Sequence, residues 1–421
     1  MPWKASSVME EKLRFICEYD LQEQTMTELC QRYGITRETG YVWLRRYRAY
    51  GVEGLREHRR AAHRHHNQTP EEIEQIVLEL RQAHMRWGPR KLKRILERDE
   101  PGRHWPAAST IGTLLQREGL VVARKKRRHT PPYTEPLAHA QECNRVWCAD
   151  FKGWFHTADG QRIDPLTISD AYSRYLLRCQ AVEKTNTSRV QAIFEAAFRE
   201  YGLPQAIRTD NGPPFASRAL GGLSRLAVWW IKLGIVHERI QAGHPEQNGR
   251  HERMHRTLKA EAAQPPADTG RQQQQALHHF RREYNEVRPH EALEMRTPAE
   301  VYQPSPRKFP SHVPEVEYPQ SMLVRRVHAK GHFRWKYRDV FLTEVLWGEP
   351  IGLLPEDGRW FTIYFAHVPL ARFDSEKLQV LPCKTSTGFY KVRAGEGEKP
   401  PSPAPHPLTE PDQKVSGMCP V

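Results

Sequence analysis

The 421-residue sequence predicts a multidomain protein, with α-helical units at the N-terminus, a mixed α/β domain in the middle and a small β-barrel near the C-terminus. Three observations predict it. At about 150 residues per domain the length implies two to four folded units. The apolar spacing changes from helical, to strands alternating with helices, to an alternation of aromatic, aliphatic and cationic residues around Gly/Asp turns. Proline-rich stretches fall where the texture changes. These divide the chain into helical units at 1–60 and 61–128, a linker at 129–143, an α/β domain at 144–303, a Pro-rich linker at 304–321, a barrel at 322–383 and a tail at 384–421 expected to be disordered.

In the first unit, Thr27 to Gly34 reads as a short helix capped by a threonine. Gly34 is then a turn and Thr36 the cap of a second helix, which makes a helix-turn-helix pattern. The second helix offers Tyr41, Leu44 and Tyr47 for packing, and Arg37, Arg45, Arg46 and Arg48 for base edges or phosphates. Residues 56–69 have little to bury; their His63, His65 and His66 suit a polar linker better than a metal site. A second helical set follows at 71–86, 88–96 and 109–116, with Trp87-Gly88-Pro89 breaking the first from the second. It ends in Arg124, Lys125, Lys126, Arg127 and Arg128, five adjacent cations suited to phosphates without base specificity.

Composition supports a nucleic-acid partner. Lys plus Arg number 64 against 50 Asp plus Glu, for a net charge of +14, and residues 1–130 carry +9 of it. Hydrophobic residues make up 38%, and no apolar run approaches the roughly 18 to 20 needed for a membrane-spanning helix. The opening MPWKASSVMEEKLRF lacks the apolar core of a signal peptide. Seven cysteines without a CxxC pair argue against a disulfide framework and suit a reducing cytosol.

In the α/β domain, strands are expected at 146–155, 163–168, 175–182 and 206–209, and helices at 188–201 and 222–233. Asp170 to Arg174 forms an antiparallel hairpin turn. Asp150 lies within the first strand near Trp147, Phe151 and Trp154, where a carboxylate is costly to desolvate unless a cation accompanies it. Asp210 ends a short strand in an Asp-Asn-Gly turn, which could also be an ordinary turn. The third carboxylate is Glu246 or Glu252. Helical register favours Glu252, because Glu252, Arg256 and Lys259 share one face while Met254 and Leu258 lie on another and pack inward. Carboxylates from separate elements are what a site for two divalent cations requires, since the ions must be held against their mutual repulsion.

These segments resemble the DDE transposases and retroviral-type integrases, and within them the insertion-sequence transposases with tandem N-terminal helix-turn-helix units. The matching pieces are Trp147 to Asp150, Asp170 to Arg174, Thr209 to Gly212, Gly243 to Gly249 leading into Glu252 to Lys259, and Tyr284 to His290 continuing to Tyr302. The resemblance implies an RNase H-like core with a mixed five-stranded sheet flanked by helices. It implies catalytic, metal-binding roles for Asp150, Asp210 and Glu252. It also implies two Mg²⁺ ions, with Mn²⁺ as a substitute, serving cleavage of DNA at the ends of a mobile element and strand transfer into target DNA. Arg256 and Lys259 are expected to grip phosphates, and the protein to act as a homo-oligomer on DNA in the bacterial cytoplasm, associated with the nucleoid. Glu246 follows Asp210 with 35 residues between, a spacing often met in this family, and Glu252 with 41. Glu252 is preferred because the motif sets the acid three residues after Asn248-Gly249, at the head of the basic helix. No His-His-Cys-Cys zinc module is seen. Two rival readings are a DNA-binding regulator with an inactive RNase H-like core and a nuclease that cuts without joining.

Overall fold

A computed structural model describes residues 7–56, 68–121, 137, 139–240, 249–356 and 358–382. His63, His65, His66, the Arg124 to Arg128 run, Glu246 and the tail at 384–421 lie outside the described residues. By internal packing the chain divides into two units, Met1–Ile76 and Val77–Val421.

The first unit holds α1 (Val8–Asp20), α2 (Met26–Arg32) and α3 (Arg37–Tyr50). The cap of α2 is Thr25 rather than Thr27. Thr25 has an extended backbone and accepts from Glu28 N–H, while the Glu28 carboxylate returns to Thr25 N–H, so two otherwise unpaired donors are satisfied together. Thr36 caps α3 as expected, and Gly34 supplies the left-handed turn at φ 65°. The packing face of α3 also differs from the expected one. Gly40 and Leu44 point inward, with Trp43 and Tyr47 beside them, and Tyr41 is exposed. The reason is close approach: a Cβ at Gly40 would stand 2.8 Å from Cys30 Sγ and 3.0 Å from both Met26 Sδ and Phe15 Cζ. The stripe therefore starts at residue 40, which turns Tyr41 outward by about 100°. Phe15, Ile16, Met26, Leu29, Cys30, Leu44 and Leu55 form the core of this unit.

Helix α4 (Glu71–Ala83) crosses the boundary between the units and is followed by α5 (Pro89–Asp99) and α6 (Ala108–Arg117). Pro89 is tolerated because it opens α5, where its missing N–H would have no helical partner. Leu92, Ile95, Leu96, Ile111, Leu114 and Leu115 are buried at helical spacing, and Trp87, stacked on His84 at 3.7 Å, fills the break between α4 and α5.

The α/β domain contains β1 (Val146–Phe151), β2 (Phe155–His156), β3 (Arg162–Asp170), β4 (Leu176–Val182), α7 (Thr187–Tyr201), β5 (Ala206–Thr209), α8 (Arg225–Lys232), β6 (Val236–Arg239), α9 (Gly249–Ala262) and α10 (Gly270–Arg282). Five strands lie in the order β4-β3-β1-β5-β6, with the two-residue β2 adding to β3. β3 is antiparallel to β1 and β4, whereas β1, β5 and β6 run parallel, so the sheet is mixed. The first strand ends at Phe151 rather than at residue 155, and Trp154 is exposed beyond it. The hairpin turn is built by Asp170, which is buried and accepts hydrogen bonds from the N–H of Asn144 and from both the N–H and hydroxyl of Ser173.

Alternation along β1 gives the sheet two different faces. Trp147 and Ala149 face a large apolar core with Leu166, Ile168, Phe194, Phe198 and Trp230, closed by α7 and α8. Thr167 and Ser169 of β3, which pair with Asp150 and Cys148, face α9 instead. The core is extended by a strap at residues 303–309. Leu203 N–H donates to Arg307 O, Ser305 N–H to Tyr201 O, and Phe309 packs on Phe198 and Trp229.

Seven antiparallel strands then form the C-terminal sheet: β7 (Leu323–His328), β8 (His332–Trp335), β9 (Arg338–Phe341), β10 (Pro350–Pro355), β11 (Trp360–Phe365), β12 (Val368–Asp374) and β13 (Gln379–Pro382). Their order is β13-β12-β11-β10-β7-β8-β9, and β13 returns beside β9 to leave a nearly closed barrel. Helix α8 is apolar on both sides. Leu226, Trp229 and Trp230 enter the α/β core, whereas Ala227, Val228 and Ile231 enter the barrel core with Phe333, Ile351, Phe365 and Phe373.

Candidate active site

Asp150 and Asp210 are brought together by strand pairing. The parallel ladder of β1 and β5 matches Val146 with Ala206 and Cys148 with Arg208. Each aspartate stands two residues beyond that last pair, at the same end of neighbouring strands about 4.8 Å apart. This is the carboxyl edge of the parallel strands, where α/β sheets present ligand-binding groups.

Both aspartates have their backbone carbonyl held by a threonine hydroxyl that a buried histidine also contacts. Thr209 Oγ1 donates to Asp210 O at 2.9 Å and lies 2.9 Å from His237 Nε2. Thr167 Oγ1 donates to Asp150 O at 3.1 Å and lies 2.6 Å from His251 Nε2 and 2.7 Å from His255 Nε2. Burial pushes His237 and His251 down to about 3 and His255 to about 2, the last aided by His251 and Lys152, so all three imidazoles are neutral at physiological pH.

The Asp210 carboxylate is partly sunk into the protein. Its Oδ1 is buried with no hydrogen-bond partner among the described residues. Burial raises its pKa above the usual carboxylate range, opposed by the Gly212 N–H. Asn211 secures the turn by donating from Nδ2 to Ile240 O at 2.6 Å. Asp150 is also half-buried, and its Oδ2 lies 3.9 Å from His255 Nδ1. Asp150, His251 and His255 each offer a ligand atom within 4.8 Å of the others.

Glu252 sits in the first turn of α9 on its exposed side, together with Arg256 and Lys259. The inward side carries His251, Met254, His255 and Leu258; Met254 and Leu258 pack on Leu176, Cys179, Leu277 and Phe280, which anchors the helix against β4 and α10. Glu252 is therefore three residues from His255, adjacent on the helix surface, and His255 in turn faces Asp150.

Lys152, His251, His255 and Thr167 were not singled out from sequence. Burial lowers the pKa of Lys152, and so does the nearby charge of Lys259, while Asp164 and Asp150 raise it, so Lys152 stands within electrostatic reach of Asp150. The two histidines share the spacing of Met254 and Leu258, and that pattern is the signal by which their burial could have been read. In the first unit, Arg37, Arg45, Arg46 and Arg48 are all exposed on α3.

The sequence matches the Integrase core domain family over residues 140–245 and again over 233–298. It matches a Helix-turn-helix domain over 11–63 and a Homeodomain-like domain over 39–115. It is 30% identical over 242 residues to the uncharacterized 31.7 kDa protein of insertion element IS407 from Burkholderia multivorans, covering 56% of this chain and 84% of that protein. With the uncharacterized 39.2 kDa protein of insertion element IS476 from Xanthomonas euvesicatoria it shares 29% identity over 286 residues, covering 66% of this chain and 79% of the relative. The HTLV-2 integrase catalytic core, solved in complex with magnesium, aligns with 39% of this chain and 99% of its own length at 17% identity and a TM-score of 0.32.

Proposed function

Because the chain belongs to the insertion-element transposases with an integrase-type core and N-terminal helix-turn-helix domains, enzymes that cut and join DNA, we propose that it cleaves the ends of its own element and joins the freed 3′ ends to target DNA through Asp150, Asp210 and Glu252. The observation that carries this reading is the juxtaposition of Asp150 and Asp210 at the same end of neighbouring parallel strands. The donor set fits divalent cations: Asp210 has a buried oxygen with no hydrogen-bond partner among the described residues, and all three groups are oxygen donors of the kind Mg²⁺ prefers, with Mn²⁺ as a substitute. Two such cations, when bound, supply the electrostatic stabilisation that in-line attack by water or a 3′-hydroxyl on a phosphodiester requires.

This chain's own residues supply positioning and charge. The Thr167 and Thr209 hydroxyls tie down the backbone carbonyls of Asp150 and Asp210, which limits how far either carboxylate can drift. Lys152, Arg256 and Lys259 offer positive charge beside the carboxylates for the phosphates on either side of the cut. The helical units at 1–60 and 61–128 bind the terminal repeats through Arg37, Arg45, Arg46, Arg48 and the Arg124 to Arg128 run. The barrel adds contacts to DNA or to a second copy, since two element ends call for at least two subunits.

The test is Mg²⁺-dependent cleavage of DNA carrying the element ends. Asp150→Asn is expected to abolish both cleavage and joining, and equal activity of this variant and the wild type would refute the assignment. A strand-transfer assay then separates a transposase, which joins the 3′ end to target, from a nuclease that only releases product.

A further inference from the structure

We infer that His255 supplies a nitrogen ligand, through Nδ1, to the cation held by Asp150, making that position a mixed nitrogen–oxygen site that binds Mn²⁺ more tightly than Mg²⁺. The inference rests on the reading of Asp150 as a metal ligand and adds to it a residue outside the carboxylate triad.

The argument starts from the protons around Thr167. Its hydroxyl has one hydrogen and two acceptor positions. The Asp150 carbonyl can only accept, so the Thr167 hydrogen goes to it. The nitrogens at 2.6 and 2.7 Å must then both be donors, which makes His251 and His255 Nε2–H tautomers. His255 consequently presents the lone pair of Nδ1 to Asp150 Oδ2 across 3.9 Å. Two acceptors face each other there, too far apart for a hydrogen bond even if a proton were available. A metal bound at about 2.0 to 2.2 Å from each donor reaches across such a gap at an obtuse donor–metal–donor angle.

The same reasoning separates the two histidines. His251 Nδ1 lies 3.2 Å from Ser169 Oγ and, in the Nε2–H tautomer, accepts from that hydroxyl. Both His251 nitrogens are thereby engaged, so His251 positions Thr167 and takes no part in coordination. A hydrogen bond that fixes the tautomer of a ligating imidazole is the usual partner of such a ligand, and here Thr167 provides it. Imidazole nitrogen favours Mn²⁺ and later transition metals over Mg²⁺, which keeps to oxygen.

The experiment uses the untagged full-length protein loaded with Mn²⁺. Pulsed electron paramagnetic resonance is expected to show nitrogen coupling to the bound Mn²⁺ in the wild type and none in His255→Gln. Calorimetry should show Mn²⁺ affinity falling about ten-fold or more in His255→Gln, with a loss of similar order in Thr167→Val, which keeps the imidazole but frees its tautomer. The wild-type spectrum needs no variant to fold, and a nitrogen-free spectrum, or coupling that survives His255→Gln, overturns the inference. If the spectrum lacks nitrogen while Asp150→Asn abolishes Mn²⁺ binding, the carboxylate reading stands and only the role of His255 falls. If Asp150→Asn leaves Mn²⁺ affinity unchanged, both fall.

Discussion

Replacing Asp210 by Asn should make the protein more stable without metal and less stable with it. Oδ1 of Asp210 is buried with no hydrogen-bond partner among the described residues, and burial of such an oxygen costs about 1–3 kcal/mol, more when charged. The amide in Asp210→Asn is neutral and can still accept from the Gly212 N–H, so metal-free stability should rise on the order of 1 kcal/mol, or about 2–4 °C in Tm. With Mg²⁺ at about 100 times its Kd the wild type gains about 2.7 kcal/mol, and the variant gains little, so their order reverses. The pH dependence has a definite sign. Burial raises the folded pKa of Asp210, so the native state holds this proton more tightly than the unfolded chain. The group's contribution is fully present at low pH and is lost as pH rises from the ordinary carboxylate range through the raised value. The gap between variant and wild type in EDTA should therefore widen from acid to neutral pH. Thermal unfolding in EDTA and in Mg²⁺ across that range reads both effects. A variant less stable than wild type in EDTA at neutral pH, or one that keeps the full Mg²⁺ gain, would refute the reasoning.

Three further outcomes are expected. Gly40→Val adds side-chain atoms where a Cβ alone would already stand 2.8 Å from Cys30 Sγ, so the first unit should lose about 1–3 kcal/mol and DNA affinity should fall with it, measured by unfolding and by gel shift. Arg46→Ala should weaken binding to element-end DNA; if Arg46 meets a phosphate, the slope of log affinity against log salt drops by about 1, whereas a base contact costs about 1–3 kcal/mol only on the specific sequence. Arg307 donates to the carbonyls of Pro204, Leu233 and Gly234, so Arg307→Ala should cost about 1–3 kcal/mol in urea unfolding and loosen the strap at residues 303–309.

Features governed by local chemistry could be read from the residues alone. The hairpin at Asp170, the cap at Thr36, the turn at Gly34 and the inward face of Met254 and Leu258 each depend on a few neighbours in sequence. The packing of α3 could not be read this way, because Gly40 matters only through Phe15, Met26 and Cys30, which other helices bring to it. The two-residue shift of the α2 cap follows from a choice between Thr25 and Thr27 that the Glu28 carboxylate decides. At the candidate site Asp210 was visible as an acid ending a short strand and Asp150 as an acid within a strand among aromatic residues. The histidines were not, since their importance comes from Thr167, more than eighty residues earlier in the chain, meeting α9 across the sheet.

Helix α8 faces two hydrophobic interiors at once, and this limits how the protein can be taken apart. A truncation that removed the barrel would strip cover from Ala227, Val228 and Ile231 and leave an oily stripe on the remaining fragment, prone to self-association. Chimeras that exchange barrels between relatives should keep their solubility only when the outward half of this helix travels with the barrel. The seam between modules thus runs through a single helix, and not along the proline-rich segment that joins them in the chain.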